Sequence, residues 1–443
     1  MQTTLPETPR QWHQRIWTLT WPVVVANFTI PFVGLVDTAV VGRLPDARYL
    51  GAVALGAMIL TALNWIFGFL RMGTTGLTAQ ATGRSDRGEQ VATALRAMGL
   101  AAIIGTLIVA SQTPLHNLAF WVISGSSEVE ALASEYFYIR IWGTPALLLH
   151  LVNLGVLFGL QRMRAALLVT TVLNLLNIAL DVLFVIGFGW GVAGVAIGTL
   201  VSECTAAALG LVIVTRALAP IRPISNVALL DGPRVAQLLQ VSGNLFLRSF
   251  FLQIPFMTFT VLGATLGNVV LAANAVLMQF FFLMAFVLDS VANSAETLTG
   301  YCFGRNNALA LRRAVRYCAG WSGVMAAVAT LCYLTLGDSL IALLTDLPEV
   351  RQTAGEYVLW SALLPIIAVW AFLLDGIFIG TTRTAELRNA MAASLACYVG
   401  VLWLGFDALG NHGVWLAMTV FMASRGMLLA AYYPRIPRLA EAS

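Results

Sequence analysis

The chain has 443 residues, of which 59% are hydrophobic and only 10% are charged, and its mean hydropathy is +0.83. Soluble domains carry about 25% charged residues, so this composition excludes an ordinary soluble domain and predicts a surface that mostly faces lipid. All 25 basic residues are arginine and lie scattered over many short loops, so the net charge of +4 is no signature of nucleic-acid binding.

Twelve apolar segments follow one another along the chain, each at least as long as the roughly 20 residues that cross a bilayer as a helix, and several exceed that length. They cover about 16–42, 50–81, 91–111, 131–159, 165–186, 191–216, 238–264, 270–301, 311–335, 353–380, 386–405 and 411–433. One long polar connection with several turn-forming prolines separates the sixth segment from the seventh. We therefore predict an all-α integral membrane protein with an amino-terminal lobe at 1–216, a cytoplasmic linker at 217–237 and a carboxy-terminal lobe at 238–443.

The first segment places a carboxylate in hydrocarbon. Asp37 lies near its far end, and Pro22 and Pro31 interrupt the same helix. An ionisable group inside a membrane costs at least about 2.5–3.5 kcal/mol, so Asp37 is expected to face protein or water. Each proline removes a backbone donor and favours a bend. The combination predicts a bendable helix with a buried acid, as a proton- or cation-driven transporter would need.

The fifth segment carries a polar stripe. Asn174, Asn177 and Asp181 are spaced so that they share one helix face. Asp181 and Asp37 both lie about five or six residues from the outer end of their segments, so the two carboxylates could share a proton or bind Na⁺. A hydrogen-bonded pair that only packs two helices would account for the same residues. We favour a coupling site because isolated acids in hydrocarbon are seldom retained for packing alone.

The second half of the chain has acids of its own. Asp289 and Glu296 are seven residues apart on the eighth segment, and Asp375 is on the tenth. Glu296 and Asp375 both lie in the inner third of the membrane, where Arg248 could pair with one of them. For Arg248 with Glu296, a fixed ion pair and a functional role fit this pattern equally well. Asp289 and Asp375 are the stronger candidates for lining a cavity.

Three further arginines lie within the apolar segments. Arg71 and Arg425 are near cytoplasmic helix ends, where snorkelling of the side chain to the interface explains them. Arg140 is in the outer part of the fourth segment and could pair with Glu135 or face a cleft.

The arginines in the connections predict orientation. With the amino terminus inside, 18 of them lie in cytoplasmic connections and three in outer ones, Arg43, Arg48 and Arg351. Basic residues favour the cytoplasmic side, so both termini are predicted to be cytoplasmic.

The two halves repeat each other. Gly83-Arg84 recurs as Gly304-Arg305 at an offset of 221 positions, and Glu135-Tyr136 recurs as Glu356-Tyr357 at the same offset. Six segments in each half return the chain to the same side of the membrane. The repeats are therefore parallel and related by an axis along the membrane normal, as in transporters that bind substrate between their halves.

Several kinds of function lack their usual motifs. The four histidines and five cysteines have no metal or redox spacing, and no phosphate-binding loop or nucleophile elbow is present. We therefore expect no enzyme activity, no cofactor and no metal centre, apart from a possible coupling Na⁺ at Asp37 and Asp181. The expected partners are the lipid bilayer and a small-molecule substrate, with no nucleic acid, and the chain is expected to act as a monomer.

Three stretches resemble one transporter family. GLVDTAVVG at 34–42 resembles the multidrug and toxic compound extrusion (MATE) family. FLRMGTTGLTAQ at 69–80 and LDGIFIGTTR at 374–383 resemble its DNA-damage-inducible F (DinF) branch. The resemblance runs essentially end to end. It implies twelve helices in two six-helix lobes around a central cleft, working as an antiporter that expels drugs in exchange for H⁺ or Na⁺.

The resemblance also implies roles for residues. The family's amino-lobe cation site falls on Asp37, Asn177 and Asp181, with Thr199 as a further polar position. Pro22 matches the proline at which the first helix is thought to bend when the acid is protonated. Asp375 matches a carboxylate that Na⁺-coupled members use, whereas the DinF branch favours H⁺.

The sequence thus favours an exporter of bulky, often cationic or amphipathic compounds in exchange for H⁺, in a bacterial inner membrane. Two alternatives remain open. A Na⁺-coupled drug exporter would have the same fold. A flippase for a lipid-linked precursor would also share the two-lobe plan, but we would expect a strongly cationic cleft for its pyrophosphate head group. An intramembrane enzyme is disfavoured because no nucleophile with an adjacent base is apparent.

Overall fold

The computed structural model describes residues 5–44, 46–123, 126–219 and 229–442, without the side chains of Ile30, Pro31 and Ala442. Every regular element in these ranges is a helix. Residues 220–228 of the predicted linker at 217–237 lie outside the described ranges, as does the side chain of Pro31. The fold class predicted from composition is confirmed as all-α with twelve helices long and apolar enough to span a membrane.

The twelve spans match the twelve predicted segments in order. They are Pro9–Val41, Ala47–Gly83, Arg87–Ala110, Ser127–Gly159, Met163–Gly187, Gly191–Leu218, Gly232–Thr265, Asn268–Gly304, Ala308–Leu344, Pro348–Gly380, Thr384–Leu409 and Asn411–Glu441. Most run past the predicted ends, because a helix continues into polar residues such as Pro9–Arg15 that hydropathy alone does not count. The membrane-spanning prediction rests on local apolar length, and the described residues bear it out.

Three spans depart from uniform α-helix. The second span turns through a short 3₁₀ segment at Ile66–Gly68, and the fourth does the same at Ile141–Gly143. The fifth span is α-helical over Met163–Asp181 and then widens into a π-helical turn at Val182–Gly187. Such breaks are frequent at functional sites, and here one follows Asp181 immediately.

The internal repeat is also visible in the backbone conformation at four helix ends. The second, fourth, eighth and tenth spans are each followed by a non-glycine residue with a left-handed backbone, at Ser85, Gln161, Asn306 and Thr382, whose φ angles lie between 54° and 59°. At each end the amide after that residue bonds back across the last turn, as Asp86 N does to Ala81 O at 3.0 Å and Asn307 N does to Cys302 O at 3.1 Å. This is the Schellman motif. Ser85 and Asn306 are separated by the offset of 221 found in the sequence, and so are Gln161 and Thr382.

The chain forms two compact units. One is Val25–Leu239, called here the amino-terminal unit, and the other joins the residues up to Val24 to those from Gln240 onward, called the carboxy-terminal unit. The first span is divided between these two units. Its early side chains explain this, since Thr20 Oγ1 lies 2.8 Å from Ser294 Oγ, and Trp12 stacks on Tyr317. The predicted lobe boundaries otherwise stay a prediction.

Candidate functional site

Asp37 and Asp181 meet within the amino-terminal unit. Asp37 lies in the last turns of the first span, and Asp181 closes the α-helical part of the fifth span. Their carboxyl groups lie close enough to each other to interact electrostatically. Asp181 is 0% exposed, and Asp37 is half-buried. Two acids that are far apart in sequence therefore form one site.

A hydrogen bond between the two carboxyl groups would require a proton. An ionised carboxylate has only acceptor oxygens, so two of them can bond only if one carries hydrogen. In the part of the chain that the structure describes, no N–H or hydroxyl group donates to Asp37 Oδ1 or Asp181 Oδ1. Asn177 Nδ2 donates to Asp181 Oδ2 at 3.1 Å. The arrangement suits one proton shared between two carboxyl groups.

Amides and a hydroxyl surround the acid pair. Asn177 Nδ2 also donates to Thr199 Oγ1 at 3.1 Å, and that hydroxyl donates to Val195 O at 3.0 Å. Asn174 Nδ2 donates to Thr29 Oγ1 of the first span at 2.5 Å. The polar stripe predicted on the fifth span thus faces both the first and the sixth spans, and the structure brings together Asp37, Asn177, Asp181 and Thr199. Their part in coupling stays a prediction.

The sixth span approaches Asp181 closely because it presents a glycine there. A Cβ added at Gly198 would collide with Asp181 Oδ1 and lie only 3.4 Å from Leu180 Cβ. Any larger residue would push the carboxyl group away from Asn177. The small residue therefore sets the distance between the fifth and sixth spans at the acid site.

A buried ion pair lies beside this site. Arg140 Nη1 donates to Glu203 Oε2 at 2.7 Å, and Nη2 donates to Oε1 at 3.0 Å. Both residues are buried, with 9% and 6% exposure. Of the two possibilities left open for Arg140, pairing with Glu135 is not found, because the fourth span packs Arg140 against Glu203 of the sixth. The sequence analysis missed Glu203, although a carboxylate inside an apolar span is the same signal that singled out Asp37.

In the carboxy-terminal unit one carboxylate forms ion pairs with two arginines. Asp375 Oδ2 accepts from Arg248 Nη2 and also from Arg425 Nη2, the latter at 2.7 Å. Arg248 thus binds Asp375, one of the two partners that the sequence left open. The expectation that Arg425 snorkels to the interface is wrong, since Arg425 is 2% exposed and lies over the Phe421 ring.

The remaining candidate residues are Glu296, Asp289 and Pro22. Glu296 is buried on the eighth span. Asp289 is half-buried and accepts from Asn293 Nδ2 at 3.3 Å. Pro22 is buried within the single helix Pro9–Val41, and its role as a bending point stays a prediction. Among the described residues no three His, Cys, Asp or Glu side chains are grouped as a metal centre would need.

The chain is similar to known proteins of one family over most of its length. The family model MatE matches residues 22–183 and 245–406, which together are more than half of the chain. Two matches to one model are what a repeated half predicts. The DNA damage-inducible protein F of Escherichia coli (strain K12) is 41% identical over 422 residues, covering 95% of this chain and 92% of that protein.

Solved structures show the same fold at low sequence identity. A MOP superfamily transporter from Pyrococcus furiosus superimposes with a TM-score of 0.86 at 20% identity, covering 97% of this chain and 96% of that one. A multidrug resistance MATE family transporter in an outward-facing conformation gives a TM-score of 0.86 at 18% identity, with 99% of each chain covered. These similarities concern the fold.

Proposed function

Because the chain belongs to the MatE family, the multidrug and toxic compound extrusion transporters, we propose that it exports drugs in exchange for protons. Its substrates are bulky compounds, often cationic or amphipathic. It works as a monomer in a bacterial inner membrane, with both termini in the cytoplasm. The arginine distribution supports that orientation, and the kinship with an Escherichia coli protein supports the bacterial membrane.

The contact between Asp37 and Asp181 carries the proposal of proton coupling. Two neighbouring carboxyl groups, with Asn177 donating to one of them, form a site that binds and releases a proton. Each proton changes the charge inside an apolar span, where an uncompensated charge is costly. Proton uptake at this site therefore favours a rearrangement of the helices that carry the two acids.

The first span is the helix that changes conformation. It carries Asp37 near one end and Pro22 in its earlier part, which belongs to the other compact unit. A proton entering from outside removes the charge, weakens the need for the Asn177 hydrogen bond and lets the helix bend at Pro22. Bending then releases the substrate to the outside, and loss of the proton to the cytoplasm resets the helix.

Purified protein in liposomes tests this proposal. Drug transport is measured with a proton gradient alone and with a sodium gradient alone, for the wild type, for Asp37→Asn and for the exposed acid variant Asp338→Asn as a matched control. We expect only the proton gradient to drive the wild type and the control, and Asp37→Asn to lose coupled transport. If Asp37→Asn still exchanged drug for protons at the wild-type rate, the mechanism would be refuted. If a sodium gradient alone drove drug transport by the wild type, the Na⁺-coupled alternative would be favoured.

No observation favours a lipid-linked precursor flippase. That function would need an excess of positive charge facing its substrate. Three described arginines inside the spans bind carboxylates instead. Arg140 pairs with Glu203, and both Arg248 and Arg425 pair with Asp375.

A further inference from the structure

The ninth span has one side that is exposed over most of its length. Deep in the span this side carries Val324, Val328 and Leu331, which are 54%, 56% and 63% exposed. Their spacing places them on one side of the helix. Exposed apolar side chains in the middle of a membrane-spanning helix contact lipid acyl chains, so we call this side the lipid face of the ninth span.

The lipid face becomes basic at the beginning of the span. Arg312, Arg313 and Arg316 lie in the first turns of the helix Ala308–Leu344, and all three are exposed. At about 3.6 residues per turn, Arg313 lies about three turns before Val324 and on the same side. With a rise of about 1.5 Å per residue, Arg316 is about 12 Å from Val324 along the axis. The same side of the helix therefore offers contacts for acyl chains inside the membrane and for headgroups at its surface.

A second helix packs beside these arginines. The twelfth span ends in the short helix Arg435–Ala442, which packs against the ninth span. Its Ile436 and Ala440 are each 1% exposed and form the packed side. Arg312 Nη2 donates to Glu441 Oε1 at 3.1 Å, so an ion pair joins the beginning of the ninth span to the short helix.

The arginines of the two helices form one surface, which we call the basic face. Its five members are all exposed: Arg312, Arg313, Arg316, Arg435 and Arg438. The two on the short helix lie within about two turns of the carboxylate that binds Arg312. Among the described residues, Arg312 is the only member of the basic face that forms an ion pair with a carboxylate. The basic face therefore carries an excess of positive charge next to the lipid face.

The internal repeat shows that the fold does not require this charge. The ninth span begins after Asn307 as the third span begins after Asp86. At the offset of 221, the three arginines of the ninth span correspond to Val91, Ala92 and Leu95 of the third span. A helix at the equivalent place therefore forms without them. Basic residues set the orientation by their number in a connection, and this effect does not require them to share one side of a helix.

A phospholipid fits both parts of this surface. A guanidinium group binds a phosphate through two parallel hydrogen bonds, and acyl chains pack on apolar side chains. Phosphatidylcholine has a trimethylammonium group that offsets the charge of its phosphate, whereas phosphatidylglycerol keeps a net negative charge. The excess of arginine therefore favours an anionic lipid.

We propose that the basic face and the lipid face of the ninth span together bind an anionic phospholipid of the cytoplasmic leaflet. The arginines contact its phosphate, and Val324, Val328 and Leu331 contact its acyl chains. The inference goes beyond the proposed function, because it concerns a second ligand in the carboxy-terminal unit, whereas Asp37 and Asp181 belong to the amino-terminal unit. It uses only the proposed orientation in the membrane, which the arginine distribution supports.

Lipid binding is tested directly with purified protein in detergent. The protein is titrated with phosphatidylglycerol, or with phosphatidylcholine of the same chain length, and native mass spectrometry counts the lipids that stay bound. The variant replaces the four arginines of the basic face that have no carboxylate partner: Arg313→Gln, Arg316→Gln, Arg435→Gln and Arg438→Gln. Arg312 is kept, because its ion pair joins the two helices.

The matched control removes the same number of positive charges from the amino-terminal unit. It replaces four exposed arginines that are also predicted to be cytoplasmic: Arg87→Gln, Arg162→Gln, Arg164→Gln and Arg216→Gln. We expect the wild type and the control to bind phosphatidylglycerol equally and more tightly than phosphatidylcholine. The basic-face variant should bind phosphatidylglycerol at least about fivefold more weakly, the effect of losing one arginine at a membrane surface.

Two outcomes of this titration overturn the inference. One is wild-type affinity for phosphatidylglycerol in the basic-face variant. The other is an equal loss in the control, because net charge and not the basic face would then attract the lipid. Two half-variants, Arg313→Gln with Arg316→Gln and Arg435→Gln with Arg438→Gln, serve if the fourfold variant does not fold. Each should weaken binding, and unchanged binding in both overturns the inference as well.

Thermal unfolding separates a lipid site from a site for any phosphate. A ligand that binds only the folded state raises the Tm. We expect phosphatidylglycerol to raise the Tm of the wild type more than that of the basic-face variant. Glycerol phosphate at the same concentration should leave both unchanged, because it has no acyl chains for the lipid face. An equal rise with glycerol phosphate would overturn the lipid assignment. These measurements involve no transport, so their failure and the failure of drug–proton exchange are distinguishable.

Discussion

At the scale of single residues, the partner of a buried carboxylate decides what it can do. Asp181 faces a second carboxyl group and an amide, so its site has room for a proton. Asp375 faces two guanidinium groups, so the place where a cation would bind is already taken. Both residues were candidates for ion coupling on sequence grounds. The contacts favour coupling at Asp181 and a charge-neutralising role at Asp375.

Substitutions in the Asp375 cluster test that distinction. Asp375→Asn leaves Arg248 and Arg425 buried without a countercharge, and breaking a buried pair in this way costs about 3–5 kcal/mol. Arg425→Met leaves a neutral pair of Arg248 and Asp375 and should cost clearly less. Thermal unfolding in detergent measures both, with the exposed acid variant Asp346→Asn as a control. Equal stability of Asp375→Asn and Arg425→Met would show that the carboxylate is not shared between the two arginines.

At the scale of the elements, the repeat is best preserved where helices begin and end. Asp86 and Asn307 are equivalent residues, and each caps the helix that follows it. Asp86 Oδ1 accepts from Glu89 N at 3.0 Å, and Asn307 Oδ1 accepts from Ala310 N at 2.9 Å. Each directly follows a left-handed residue, Ser85 or Asn306. A tight, polar turn between spans constrains the backbone more than a lipid-facing helix does.

The left-handed positions give a prediction about stability. A left-handed backbone costs most L-residues about 1–2 kcal/mol, whereas glycine adopts it freely and asparagine tolerates it. Ser85→Gly should therefore raise the Tm, and Asn306→Gly should raise it less. Both are measured by thermal unfolding in the same detergent. A larger gain at Asn306 than at Ser85 would contradict the backbone argument, because the two turns are otherwise equivalent.

At the scale of the whole molecule, the first span links the two compact units through one continuous helix. Its residues up to Val24 belong to the carboxy-terminal unit, and those from Val25 onward belong to the amino-terminal unit. Pro22 and Asp37 are therefore in different units although they share a helix. The helix that carries Asp37 therefore has residues in both units.

Orientation in the membrane is a property of the whole chain and follows from its arginines. Connections with many arginines are retained in the cytoplasm. A variant without the five natural cysteines receives one new cysteine, either Arg87→Cys or Asp346→Cys. In intact cells a membrane-impermeant maleimide should label the cysteine at position 346, whereas position 87 should react only after permeabilisation. Labelling of position 87 in intact cells would reverse the predicted topology.

The sequence alone determined the features that depend on neighbouring residues. Apolar length predicted all twelve spans, and spacing along one helix placed Asn174, Asn177 and Asp181 on a common face. The offset of the repeat located equivalent turns, Ser85 with Asn306 and Gln161 with Thr382. These features are local, so they can be derived before the fold is known.

Only the tertiary structure decided which charges meet. Arg140 pairs with a residue 63 positions away and not with nearby Glu135, and Arg425 binds a carboxylate 50 positions away. Contact between Asp37 and Asp181, and the division of the first span between two units, also depend on helix packing. In an apolar span a charged side chain must find a partner of opposite charge or a hydrogen bond. Which partner it finds depends on the faces that neighbouring helices present, and a single helix does not specify them.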